Sequence, residues 1–380
     1  LAIHTFPLSI KRIIRQRAVL TTVEGSQSDT LTPMRGKTLM IHGSSVPVES
    51  ASWQNLLASS ITDPRVLLQR LQLDSSLLEG ALAADREFAL RVPEPYLQRM
   101  QPGDPNDPLL RQVLPLGEEL SEQPGYVADP LGEQQSNARP GIIHKYHGRL
   151  LLVVTAGCAI NCRYCFRRHF PYAENNLSTT EWEQALDYIR QDSSINEVIY
   201  SGGDPLAAND RRLAWLTRQI ADIPHIKRLR VHTRLPVVIP QRVTDELIDA
   251  LCGTRLPVTM VLHCNHANEV DAQMLDAIAR LRRANITLLN QAVLLRGVND
   301  RLEAQIALSE ALGDNGVLPY YLHLLDHVRG ASHFHCSDSE GQQLIGQLLT
   351  RLPGYLVPRL VREVAGELGK VPIHVDLVSP

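Results

Sequence analysis

Cys158, Cys162 and Cys165 stand with three and two residues between them in Gly157-Cys158-Ala159-Ile160-Asn161-Cys162-Arg163-Tyr164-Cys165. Thiolates this close in sequence are metal ligands by type and spacing, and the chemistry turns on what else joins them. A structural zinc ion takes four protein ligands in a tetrahedron, and His169 is the nearby candidate for the fourth. An iron–sulfur cube held by three thiolates instead leaves one iron open to a chelating ligand. Tyr164, next to the third cysteine, and the polar residues farther along the chain favour the cube. Cys252, Cys264 and Cys336 are isolated and read as small buried hydrophobes.

Several other residues have chemistry-bearing types. In Ser201-Gly202-Gly203-Asp204-Pro205 the paired glycines let backbone approach a ligand, and the acid can accept an ammonium group. Taken alone, the same words describe an ordinary turn. His232, Thr233 and Arg234 follow one apolar run, His263 ends another, and Gln291 ends a third. Asp326 either pairs with a substrate cation or caps a loop. Lys370, in Glu363-Val-Ala-Gly-Glu-Leu-Gly-Lys370, either forms a Schiff base with an aldehyde or is simply solvated.

These residues need elements to position them. Apolar runs at 150–155, 197–200, 229–232, 258–263, 286–291 and 317–325 read as buried strands. Helical stretches separate them at 179–190, 209–220, 244–252, 268–283 and 301–312, and 337–352 closes the series. Ser178 with Glu181 suits a capping box. Six strands alternating with helices predict an α/β fold with a parallel sheet. No glycine fingerprint follows the first strand, so an open (β/α)6 partial TIM-type barrel fits better than a dinucleotide-binding fold. Its chemistry should collect at the C-terminal strand ends, where the polar residues fall. Residues 46–140 read as a helical cap and linker, with a helix starting at Asp63-Pro64 and turn-rich words at 101–108 and 123–125. Residues 141–380 make the barrel and a C-terminal segment bearing Lys370. Residues 1–45, basic then rich in Ser, Thr and Gly, read as a disordered extension or as sequence upstream of a genuine start at Met40. The net charge of −3 favours neither nucleic acid nor anionic membrane, and no apolar run is long enough to span a bilayer. The sparse, unpaired cysteines point to a reducing, cytoplasmic setting.

From about Asn106 to Lys370 the chain resembles the lysine 2,3-aminomutase family of radical S-adenosylmethionine enzymes. The resemblance lies in Asn106-Asp-Pro-Leu-Leu-Arg-Gln-Val-Leu-Pro115, His144-Lys-Tyr-His-Gly-Arg149, the cysteine loop through Arg168, and Ser201-Gly-Gly-Asp-Pro205. It continues in His263-Cys-Asn-His-Ala-Asn-Glu269, 290–300 and Gly330-Ala-Ser-His-Phe334. It implies a radical S-adenosylmethionine core in which Cys158, Cys162 and Cys165 hold a 4Fe–4S cluster. Ser201, Gly202, Gly203 and Asp204 would then meet the methionine amino group, and His263 and Gln291 would touch S-adenosylmethionine. Lys370 would carry pyridoxal 5′-phosphate, with Tyr146 and Arg149 against that cofactor. Arg167 would grip the substrate carboxylate, and Asp326 with Glu363 its side-chain ammonium.

The chain departs from the family's pattern in three places. The glycine run before Lys370 is degraded to Ala365-Gly366-Glu367-Leu368-Gly369. Glu363 stands where an Asp is usual. The sequence stops ten residues beyond Lys370, without the cysteine-bearing tail of enzymes acting on free lysine, so no zinc is expected. That shortness resembles the branch whose product, (R)-β-lysine, a separate lysyl ligase attaches to elongation factor P. A flavodoxin or ferredoxin type protein would supply electrons. Moving an amino group from C2 to C3 means breaking an unactivated C–H bond, beyond any protein acid or base, which is why cofactors must supply the reactivity. The alternatives are the same chemistry on free lysine, arginine or glutamate, or a zinc-stabilised binding scaffold. Asp326 argues against glutamate, whose side chain it would repel.

Overall fold

The computed structural model describes residues 52–175 and 177–375. The extension expected at residues 1–45 lies outside the described residues.

Among the described residues nine strands form one sheet in sequence order: β1 (Ile142–Tyr146), β2 (Arg149–Thr155), β3 (Glu197–Gly202), β4 (Arg228–Thr233), β5 (Val258–Leu262), β6 (Thr287–Val293), β7 (Leu318–His323), β8 (Arg359–Arg362) and β9 (Val371–Pro372). Strands β2 to β8 run parallel, while β1 and β9 add antiparallel edges. Each successive parallel pair is joined through a helix: Thr179–Gln191, Asp210–Ala221, Asp245–Cys252, Ala272–Arg283, Leu302–Gly313 and Asp338–Arg351. This is the open α/β barrel that the alternation implies, extended by one parallel strand. Strand β8 is only Arg-Leu-Val-Arg, and two apolar residues between charges are too few to register as a buried strand. Its consequence is large, because β8 leads into Glu363 and β9 starts directly after Lys370.

Local sequence explains the elements. Strand β3 is buried along nearly its whole length, as a parallel strand covered on both faces should be. The helix at 179–191 starts with the expected box: Ser178 Oγ accepts from Glu181 N while the Glu181 carboxylate accepts from Ser178 N at 2.7 Å. Asp63 caps the helix Pro64–Arg70 by accepting from Arg65 N at 2.8 Å, with proline in the first turn.

The short N-terminal helices share the barrel's core, to which Trp53, Leu67, Leu90, Tyr96 and Leu110 contribute. Polar ties reinforce the apolar contact. The buried guanidinium of Arg242 stacks on Trp53 at 4.3 Å and donates to the carbonyls of Leu206 and Ala208. Among the described residues no helix is long and apolar enough to cross a membrane.

Candidate active site

A cavity of about 490 Å³ opens at the C-terminal ends of the parallel strands. It is lined by Cys158, Cys162 and Cys165, by Ser201 to Asp204, by His263 and Gln291, and by Arg167, Asp326, Glu363 and Lys370, with Tyr146 and Arg149 at its wall. Every site residue that the family resemblance implies therefore lines one cavity.

The cysteine loop leaves β2 and is held by the helical cap. Arg163 N donates to Gln112 O at 2.9 Å, and Asn161 Nδ2 to Ala89 O at 2.8 Å. The Arg163 side chain, fully buried, forks onto Glu119 at 2.8 and 2.7 Å, and Arg168 donates to the same carboxylate at 2.8 Å. Removing one partner from such a buried group costs more than the pair contributes when intact, because charge is left without compensation. Glu119→Ala is expected to lower the unfolding free energy by about 3–5 kcal/mol, measured by urea denaturation of the whole chain. A loss within about 1 kcal/mol, the size of an exposed pair, would mean the loop is held by other contacts.

The two glycines at the end of β3 are required by the cysteine loop itself. Gly203 N donates to Thr155 O at 2.8 Å, and Asp204 N to Gly157 O at 2.8 Å. A Cβ at Gly203 would lie 2.5 Å from Gly157 O and 2.6 Å from Ala156 O. Gly202 has φ of 124°, open to glycine and little else. Asp204 does not offer a free carboxylate, contrary to the sequence expectation. Its Oδ1 accepts from Thr233 Oγ1 at 2.7 Å and Leu206 N at 3.0 Å; its Oδ2 accepts from Arg234 N at 2.7 Å and Leu235 N at 2.9 Å. The acid thus ties the ends of β3 and β4 together, a role its local sequence does not reveal. Ser201 Oγ accepts from Arg167 Nη1 at 3.0 Å.

On the far wall, Lys370 Nζ donates to Glu363 Oε2 at 2.9 Å, and Tyr146 Oη to Glu363 Oε1 at 2.9 Å. Arg149 stacks on the Tyr146 ring at 4.5 Å. Burial opposes ionisation of Glu363, but the ammonium groups of Lys370 and Lys145 outweigh it and hold the carboxyl far below its usual range. Asp326 is the opposite case. It lies just beyond β7, where its backbone carbonyl accepts from Val328 N at 2.7 Å, while its carboxylate makes no hydrogen bond or ion pair to any other described residue. Burial, then the Glu363 charge, pushes its carboxyl up to about 7. His263, whose Nε2 lies 2.9 Å from Gln291 Nε2, is held neutral, its pKa lowered to about 3 by burial and then by Arg234.

Sequence reasoning missed two residues here. Glu133 takes the Arg167 fork, accepting at 2.6 and 2.8 Å, so the expected carboxylate grip already holds a carboxylate of the chain. Lys145 lies between Glu133 and Glu363, at 3.5 and 3.4 Å. Its position beside Tyr146 in β1 was the one available signal. His169, the zinc reading's fourth ligand, does not line the cavity; its Nε2 lies 3.3 Å from Arg329 O. Among the described residues no three His, Cys, Asp or Glu side chains gather around a single-ion site.

A three-cysteine loop after the first parallel strand of an open α/β barrel defines a radical S-adenosylmethionine protein, and the profile of the Radical SAM superfamily matches residues 152–306. The chain is 52% identical over 327 residues to an L-lysine 2,3-aminomutase of Escherichia coli (strain K12), covering 86% of this chain and 95% of that one. It is 51% identical over 322 residues to that of Haemophilus influenzae, covering 85% and 95%. Identity to the Clostridium subterminale protein of the same name is 34% over 327 residues, covering 86% and 78%. The chain belongs to the lysine 2,3-aminomutase family and is an isomerase. Superfamily membership implies a 4Fe–4S cluster and S-adenosylmethionine.

Proposed function

We propose that the chain is a pyridoxal phosphate-dependent L-lysine 2,3-aminomutase that converts (S)-α-lysine to (R)-β-lysine for attachment to elongation factor P. The observation that carries the reading is the meeting of three thiols, Lys370 and the unpartnered Asp326 in one cavity. Cys158, Cys162 and Cys165 would hold the cluster, and Gly202, Gly203, His263 and Gln291 would hold S-adenosylmethionine beside it.

The opposite wall fits pyridoxal phosphate. It offers an amine on Lys370, the cations Arg149 and Arg230, and buried polar atoms without partners at His232 Nε2, His323 Nε2 and Arg230 Nε. When bound, the cluster with S-adenosylmethionine supplies a hydrogen-abstracting radical, and pyridoxal phosphate supplies a π-system that lets nitrogen migrate. The chain's own residues bind and orient. Arg167, its fork taken by Glu133 and its Nη1 by Ser201, would meet the substrate carboxylate through the remaining Nη2 N–H. Asp326 receives the side-chain ammonium. Glu363, which pairs with Lys370, would stand beside it as a second carboxylate for that ammonium.

The elongation factor P role follows the sequence resemblance alone, as do the lysyl ligase downstream and the flavodoxin or ferredoxin type donor; the cytoplasmic location follows from the sparse cysteines. The test is direct. Reduced, reconstituted protein is incubated with (S)-lysine, S-adenosylmethionine and pyridoxal phosphate, and the products are resolved on a chiral column. (R)-β-Lysine is expected. Arginine or glutamate turning over in its place would overturn the substrate assignment. Adding the ligase and elongation factor P should then yield β-lysylated factor.

A further inference from the structure

Arg234, at the end of β4, is a buried cation to which the proposed function gives no task. Its Nη1 donates to Cys162 Sγ at 2.7 Å and also to the Tyr164 hydroxyl. Its Nη2 donates to Glu269 Oε1 at 2.8 Å and Gln112 Oε1 at 2.7 Å. The partners are themselves fixed. Tyr96 Oη and Gln112 Nε2 donate to Glu269 at 3.0 and 2.9 Å, and Asn265 N donates to its second oxygen at 3.0 Å. The cap, the cysteine loop and the segment after β5 thus aim one guanidinium at one sulfur. Among the described residues, Cys162 is the one member of the trio to whose sulfur a side chain donates.

Burying an ion pair gains little stability over apolar packing, so stability alone is a weak reason for this arrangement. Its orientation is informative: the Arg234–Glu269 dipole turns its positive end toward a cluster ligand. Hydrogen bonds and charge at ligand sulfurs are among the means by which a protein sets an iron–sulfur potential.

We propose that Arg234 is a positioning residue that raises the cluster's reduction potential through Cys162. One electron passes from a low-potential one-electron donor to the cluster, and no bond is made or broken. The added charge is shared with the thiolate sulfurs, so a cationic N–H donor stabilises the reduced form more than the oxidised one. Glu269 holds the donor in place and partly offsets its charge. The inference rests on the cluster assignment above.

The test is an anaerobic redox titration of the reconstituted full chain with low-potential mediators, followed by electron paramagnetic resonance, with iron and sulfide assayed in parallel. Arg234→Gln should keep its iron and shift the midpoint to a more negative value. Glu269→Gln, which strips the counter-charge and leaves the cation, should shift it the other way. Arg234→Lys keeps a charge but cannot span all the partners, so its midpoint should fall between the native and Gln values. It also decides the matter if the Gln variant fails to load. Iron-replete variants with an unmoved midpoint, or with both Gln variants shifting in the same direction, would overturn the proposal. A native chain that takes up no cluster would sink the cluster assignment first and this inference with it.

Discussion

Lys370→Ala should lower β-lysine formation by on the order of 10⁴-fold or more, the scale on which removing a covalent catalytic group acts. The reasoning starts from placement. Lys370 closes the turn into β9, with its Nζ 2.9 Å from Glu363 Oε2 and 5.7 Å from the centre of the Tyr321 ring. An amine held beside a carboxylate and an aromatic face, in a cavity with unpartnered buried donors, is poised to take an aldehyde. The rival amine is Lys145, 3.4 Å from the other Glu363 oxygen. Borohydride reduction of the pyridoxal phosphate complex followed by peptide mapping separates the two. The label should sit on the peptide containing Lys370 and disappear in the variant. A label on Lys145 would reassign the cofactor's anchor. Lys370→Arg sharpens the test, because it keeps a cation for Glu363 and loses the nucleophile. It should be as inactive as the alanine variant, whereas a purely electrostatic lysine would be rescued.

The sequence displays some parts of this site and hides others, and the division follows the range of the interactions. The cysteine loop and the glycine pair are local words, and the six longer parallel strands have apolar runs that register by themselves. Asp326 stands at a strand end, so the strand pattern carries it to the cavity. Strand β8 escapes because its apolar core is two residues. Glu133 escapes for another reason. It lies in an aperiodic, turn-rich stretch, and its partner Arg167 is 34 residues away. Asp204 is the instructive case. Its type suits a ligand ammonium, but three of its four donors come from the end of β4 and the residues just past it, and only the tertiary fold brings them there. The Arg234–Glu269 pair is likewise a contact between strand ends, 35 residues apart. Residue type nominates candidates; the sheet decides which remain free for a ligand.

Asp326, free by that criterion, should respond to pH in a way Glu363 cannot. Glu363 is ionised over the whole working range, because Lys370 and Lys145 overcome its burial. Asp326 has no such partner, and burial together with the Glu363 charge puts its carboxyl at about 7. An ammonium needs the carboxylate form, so KM for lysine should fall as pH rises through about 7 and then level off. The sign for folding is the reverse. A carboxyl raised above its ordinary value of 3.8 is charged in the unfolded chain first. It therefore removes stability from the ligand-free protein as pH climbs from about 4 to about 7, and the loss then stops. Asp326→Asn should abolish both slopes and raise KM by roughly 30- to 5,000-fold, the equivalent of losing a buried charge partner worth about 2–5 kcal/mol. Steady-state kinetics on the native chain and the variant between about pH 6 and pH 8 decide it. A KM flat with pH in the native protein, or barely changed in the variant, would hand the substrate's side chain to Glu363 alone.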